Sequence, residues 1–138
     1  MSQANKDLGQ RWFEEVWNKG NVQGIDEMLA DDAVIHGLLD LSGNPISDRN
    51  GFRQYHAQFR GAFPDLAVTL HDIVGEGDIV ALRCSVKAKH SGPNLGIAAT
   101  NRDVAITGMA FIRVADGRIA EAWNNFDFQT MRQQLGFA

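Results

Sequence analysis

Thiol is nearly missing from this chain: Cys84 is its one cysteine, so no internal disulfide can brace the fold and no Cys-x-x-Cys pair can grip a metal. Long apolar runs are missing too, none nearing the roughly 18 residues that suggest a membrane-spanning helix. There is also no basic excess. Lys and Arg number 13 against 17 Asp and Glu, a net charge of -4 with the cations dispersed, which argues against nucleic acid and anionic membranes as partners. The segment Met1 to Lys6 is polar and lacks the apolar core of a secretory signal, so a cytoplasmic location is expected.

Several catalytic signatures are absent as well. No Gly-rich phosphate loop and no Gly-x-Ser-x-Gly elbow occurs, which disfavours nucleotide and serine-hydrolase chemistry. Histidines at metal-ligand spacing are lacking, so no metal and no cofactor are expected. His36, His90 and Asp127 could converge as two histidines and a carboxylate only through the fold.

What is present suits a single domain over residues 1–138. A chain of 138 residues with 44% hydrophobic side chains can bury roughly two-thirds of its unfolded surface. Leu8, Trp12, Phe13 and Val16 recur at helical spacing until Gly20, and a short second helix is predicted over Val22 to Leu29. Ala33 to His36 reads as a short strand. Asp48 is a good N-cap for a third helix lined by Phe52, Tyr55, Phe59 and Phe63 and ended by Pro64. Beyond Leu66 the period becomes two, through strands near Leu66 to Val74, Ile79 to His90, Arg102 to Val114 and Arg118 to Asp127. Gly-rich turns between them indicate an antiparallel meander, and Phe128 to Leu135 returns to helix. Helices first and strands afterwards make an α+β fold, whose sheet, if strongly curved, forms a cone with a pocket inside.

Strand alternation nominates the site. Ile119, Glu121, Trp123, Asn125 and Asp127 would share one face, placing an acid beside an indole, where lost hydration raises a carboxyl pKa and makes a better base. Val34, His36 and Leu38 share a face, and His90 ends the inward row Val80, Leu82, Cys84, Val86, Ala88. The functional reading is a mostly apolar pocket in which Asp127 transfers a proton. His36, His90, Asn125 and Tyr55 would anchor polar atoms, with Trp17, Phe59 and Trp123 as aromatic walls. Structural alternatives stand beside it. Asp127 also suits the N-cap of the last helix, strand-end histidines often just bond backbone, and aromatics more often build core. His56 and His71 read as surface residues, and Cys84 as an inert buried thiol. Glu121 is left unassigned.

With these residues placed, the chain resembles the SnoaL-like polyketide cyclase (ester cyclase) group of the nuclear-transport-factor-2-like (NTF2-like) superfamily. The resemblance rests on Ala62-Phe63-Pro64-Asp65-Leu66, the turn Gly75-Glu76-Gly77-Asp78 and His90-Ser91-Gly92 with Leu95-Gly96-Ile97. It also rests on Arg113 to Trp123 leading to Asp127 and Gln134-Leu135-Gly136. It implies a cone-shaped α+β fold: a curved antiparallel sheet around about three N-terminal helices, with a short C-terminal helix. It further implies cofactor-independent, intramolecular aldol-type ring closure on a small hydrophobic carbonyl compound. The aspartate of Trp-x-x-x-Asp, here Asp127, would be the base, with His36 and His90 hydrogen-bonding carbonyl oxygens. A homodimer through the outer sheet face is implied too. Ala98-Ala99-Thr100-Asn101 departs from the group's Pro-Pro-Thr-Gly turn. The superfamily also holds isomerases, epoxide hydrolases and noncatalytic binding domains, so those alternatives stay open.

Overall fold

The computed structural model describes residues 2–136; Met1, Phe137 and Ala138, which the single-domain expectation also spans, lie outside the described residues. Helix α1 (Ser2–Arg11) runs on into a π-helical segment, Trp12–Asn18, in which the Lys19 N–H reaches back five residues to the Glu14 carbonyl. Leu8, Trp12, Phe13 and Val16 are all buried, as their spacing predicts. The wider π winding offsets Trp17 from a regular helical face and brings it alongside the aromatics of the third helix.

Helix α2 (Val22–Met28) leads into strand β1 (Leu29–His36), which is longer than the Ala33 to His36 segment read from sequence. Helix α3 (Arg49–Ala62) begins at Asp48, whose carboxylate accepts the Gly51 N–H at 2.8 Å; such a cap contributes about 1 kcal/mol. Its inner side stacks Phe52, Tyr55 and Phe59, the last two with ring centroids 4.6 Å apart. Then come β2 (Ala67–Glu76), β3 (Ile79–Lys89), β4 (Asp103–Ala115), β5 (Arg118–Phe126) and helix α4 (Phe128–Leu135), closely matching the periodicity.

The five strands form a curved, unclosed sheet in the order β1-β5-β4-β3-β2, antiparallel except where β1 lies parallel to β5. The sequence patterning gave no neighbour for β1. On β4, Val104, Ile106, Gly108, Ala110, Ile112 and Val114 all face the buried side, and on β3 the row from Val80 to His90 does so as expected. Helices α1 to α3 and the π-helical segment cover that concave face, making the core continuous from Leu8 to Ile119.

One irregularity decides the site. Along β4 and β5, Val114 pairs with Ile119 but Arg113 pairs with Glu121, so Ala120 is an extra residue, a β-bulge. Because side chains alternate with period two, one inserted residue sends everything after it to the opposite face. Beyond Ala120 the concave side therefore receives Ala122, Asn124 and Phe126, and the convex side receives Glu121, Trp123 and Asn125.

Candidate functional site

The concave face and its helices line a chamber whose free volume is about 90 Å³. Trp12, Phe13 and Trp17 of the π-helical segment and Phe52, Tyr55 and Phe59 of α3 supply one wall. Ile106, Ala110, Asn124 and Phe126 belong to the sheet side, and Phe128 and Met131 of α4 close an end. Aromatic rings occupy much of the cone. A ligand of ordinary size, which needs roughly 300 Å³ or more, enters only if some of them turn aside.

Gly108 shows how tightly the rings are fitted. A Cβ there would collide with the Phe126 ring, so the glycine lets Phe126 lie flat against the sheet and face the chamber. At Gly37 (φ +87°) a side chain would strike the Asn124 carbonyl oxygen, which fixes how closely the end of β1 approaches β5.

No Asp, Glu, His, Lys or Arg lines the chamber. The lining residues that carry a polar side-chain group are Tyr55, Asn124, Trp12 and Trp17. Asn124 donates from Nδ2 to the His36 carbonyl at 2.9 Å. The Tyr55 hydroxyl has no hydrogen-bond partner among the described residues, and burial pushes its pKa far above the ordinary tyrosine value. It therefore stays protonated, a donor facing an apolar space.

The predicted site residues divide into four groups. Tyr55, Phe59 and Trp17 line the chamber. Trp123 and Asn125 do not: the bulge at Ala120 turns both to the convex face, where Trp123 remains 38% exposed. His36 is on that outer face as well, because Ala33 and Ile35 are the inward residues of β1. Leu38 misleads the phase, since Gly37 in the left-handed region reverses the alternation before it. His36 Nε2 lies 2.7 Å from Glu121 Oε2, and its ring stacks on Trp123 at 5.4 Å and 14°. That hydrogen bond, with the charges of His36 and Arg113, holds the Glu121 carboxyl below the usual range.

Asp127 is an exposed N-cap of α4. Its carboxylate accepts the Thr130 hydroxyl at 2.6 Å and the Thr130 N–H at 3.1 Å, and these two bonds lower its pKa. The expectation of a desolvated acid with a raised pKa is thereby corrected, since the cap favours the charged form. Asp127 follows Phe126 and precedes Phe128, which line the chamber, but its own side chain does not.

His90 is fully buried and ends the inward row of β3, its ring 5.4 Å from that of Phe63, a chamber residue. His36, His90 and Asp127 therefore do not converge, and no group of three metal-ligating side chains exists among the described residues. His56, expected at the surface, is buried instead. Its Nε2–H donates to the Val16 carbonyl at 2.6 Å, and burial lowers its pKa. Asn124, Phe126 and Phe128 were missed as site residues; a one-residue shift in the phase of β5 would have selected the first two. Cys84 is buried as expected, its thiol pushed up to about 11. Among the described residues no helix is long and apolar enough to cross a membrane.

A curved, open sheet wrapped on one side by helices around an apolar chamber is the architecture of the NTF2-like superfamily. The family model for SnoaL-like polyketide cyclases matches residues 7–135, and the chain belongs to that family. Its structure is similar to that of IdmH from Streptomyces antibioticus, a candidate polyketide cyclase, at 36% identity and a TM-score of 0.80, covering 96% of this chain and 98% of that one. AclR from Streptomyces galilaeus, a candidate hydroxylase, is 26% identical with a TM-score of 0.84, covering 99% and 83% of the two chains. TsrD from Streptomyces laurentii shares the fold at 24% identity, a TM-score of 0.83 and coverage of 99% and 97%. No curated protein matches the chain.

Proposed function

We propose that this protein is a cyclase-type enzyme that takes a small hydrophobic carbonyl compound into the chamber, folds it, and promotes ring closure without a cofactor. The observation that carries this reading is the Tyr55 hydroxyl, a donor without a partner among the described residues in a mostly apolar chamber. A carbonyl oxygen accepting it is polarised, and the donor strengthens as charge develops on that oxygen. Aromatic walls hold the chain folded, converting an improbable encounter between its ends into a local one. In an aldol closure the α-carbon gives up its proton, the new C–C bond forms, and the attacked oxygen takes a proton. Asp127, at the junction of β5 and α4, is the acceptor suggested by family resemblance. To act it must leave its cap on Thr130. The test uses 2,6-heptanedione, whose closure to 3-hydroxy-3-methylcyclohexanone, and that product's loss of water to 3-methylcyclohex-2-enone, are followed by proton NMR. Native protein is expected to accelerate closure, Tyr55→Phe to lose about tenfold or more, and Asp127→Asn to report on the base. Equal rates with and without protein would refute the cyclase reading for this substrate class.

A second reading, a noncatalytic binding domain, is favoured by the absence of any carboxylate, histidine, lysine or arginine from the chamber lining. It predicts that a bound diketone is recovered unchanged and that Asp127→Asn alters its affinity only.

The convex face supports a proposal about partners. Paired positions across all five strands read His36, Trp123, Phe111, Ala81, Val74, an apolar row with Phe111 54% and Val74 63% exposed. On one side lie Glu121 and Arg113, on the other Asp72 and Arg83, each pair one cation and one anion. Such a self-complementary face suits a second copy of this chain related by a twofold axis. Sedimentation is expected to give a dimer at micromolar concentration that Phe111→Lys dissociates; a native monomer would refute it.

A further inference from the structure

The chamber draws its lining from both clusters of the core, and five of its residues pack against both: Trp17, Phe59, Val68, Phe126 and Phe128. All five are half-buried, whereas the lining rings Trp12, Phe13, Phe52, Tyr55 and Phe63 are buried. The chamber wall therefore meets the surface along those five. Because the free volume is smaller than an ordinary ligand, one of them has to move before such a ligand can enter.

Three of the four aromatic rings in that set are held. Phe126 lies flat on Gly108, closer than a Cβ would permit. Phe59 is enclosed by Tyr55, Phe63 and Phe128, and Phe128 is wedged between Phe59 and Phe126. Trp17 differs. Its ring contacts all come from one element, α3: it meets Phe52 and Tyr55 edge-on, at 86° and 87°, and His56 at 4.9 Å. Its indole N–H has no hydrogen-bond partner among the described residues and is not fully enclosed.

The main chain beneath that ring is anchored on both sides. The Val16 carbonyl accepts His56 Nε2–H at 2.6 Å, and the Trp17 carbonyl accepts Arg60 Nη1–H at 3.2 Å. Asn18 exchanges two bonds with Val68 of β2, donating to its carbonyl at 3.0 Å and accepting its N–H at 2.6 Å. Carbonyls at the end of a helix lack partners within it, and here α3 supplies them. Gly20, at φ +67°, leaves room for the Arg60 guanidinium. Three consecutive residues are thus tied to two other elements, and the π winding cannot relax without breaking those ties. The motion left to Trp17 is rotation of its side chain.

We propose that Trp17 is the gate of the chamber and the residue that selects ligands by bulk. Its indole turns outward to admit a compact apolar carbonyl compound and swings back once the ligand is inside, while α3 and β2 hold the main chain still. This deepens the reading of the chamber as a site for small hydrophobic carbonyl compounds and rests on it. A gate leaves a kinetic mark that a fixed wall does not. Removing a gate speeds entry and exit together, whereas removing a wall contact speeds exit alone.

Cyclopentanone and 2-adamantanone, ketones of small and large bulk, are the probes. The tryptophans are labelled as 5-fluorotryptophan, and fluorine-19 line shapes give association and dissociation rates. Trp12 reports from the chamber and Trp123, on the convex face, serves as the unaffected reference. Trp17→Ala is expected to raise the association rate of 2-adamantanone about tenfold or more, with a parallel rise in dissociation, and to change the cyclopentanone rates less. Trp17→Phe should fall between. Should Trp17→Ala fail to fold, Trp17→Phe carries the same comparison. An association rate that neither substitution changes would make Trp17 a fixed wall and overturn the proposal. So would 2-adamantanone binding to Trp17→Ala but never to the native protein, since the indole would then not turn. If neither ketone moves the Trp12 resonance in native protein or variant, the chamber reading itself fails, an outcome distinct from binding without gating.

Discussion

Tyr55→Phe separates stability from function in a single atom. The Tyr55 side chain is largely buried in the chamber wall and its hydroxyl has no protein partner among the described residues, but the oxygen is not fully enclosed, so folding removes only part of its hydration. An unsatisfied hydroxyl costs about 1–3 kcal/mol, and contact with chamber water recovers part of it, so the net gain from removing it is about 1 kcal/mol. Unfolding entropy is about 2.1 cal/mol/K per residue, or roughly 0.3 kcal/mol/K for this chain, so Tm should rise by about 3 °C. Thermal melting by circular dichroism, with urea titration as a check, measures this in the protein without ligand. The same variant should lose diketone closure. A gain in stability with a loss of activity is the signature of a group held for its ligand. A fall in Tm of similar size would mean that the hydroxyl is already satisfied in the folded state, and the argument for it as a substrate donor would collapse.

Asp127 gives a pH prediction. Its pKa is depressed by the Thr130 bonds, so its contribution is present above the ordinary carboxylate value of about 3.9 and lost as pH falls through the lower folded value. Asp127→Asn should flatten that acid limb of the urea midpoint while still capping α4. Asp127→Ala should speed amide exchange over Phe128–Leu135 at every pH. Gly108→Ala should cost about 1–3 kcal/mol by forcing Phe126 off the sheet, and a double-mutant cycle with Phe126→Ala should show positive coupling; additive effects would disprove the contact. Phe59→Ala should cost about 3 kcal/mol and admit larger apolar probes, as read by quenching of Trp17 emission.

How far the sequence revealed the site can be judged on β5. Its boundaries, its turn at Asp116-Gly117 and the cap at Asp127 were all legible, because each depends on local chemistry. Its phase was not. A bulge is defined by pairing with β4, and Ala120 carries no local mark that it is the extra residue. The same holds for β1, where Gly37 reverses the phase, and for His56, which is buried because a π-helical carbonyl sits opposite it. By contrast Tyr55 and Phe59 were correctly set inward, since helical spacing survives without knowledge of neighbours, whereas Trp17 reaches the chamber through π winding that spacing alone does not give.

The corrected phase also gives the Trp-x-x-x-Asp pattern an architectural meaning. Trp123 stacks on His36 and so ties β1 to the outer side of β5, while Asn124 between them bonds the His36 carbonyl on the inner side. Four residues after the tryptophan, Asp127 caps α4 and sets its direction, which carries Phe128 and Met131 to the chamber's end. Gln134 on that helix then exchanges hydrogen bonds with Ala105 at 3.0 and 2.9 Å, on β4 beyond the last β5 pairing at Gly108 and Phe126. Both motif residues thus shape the chamber from outside it. A conservative change at either should move ligand affinity through geometry, and a change at Tyr55 through direct contact. Only the second should alter the affinity ratio between a ketone and its alkene isostere.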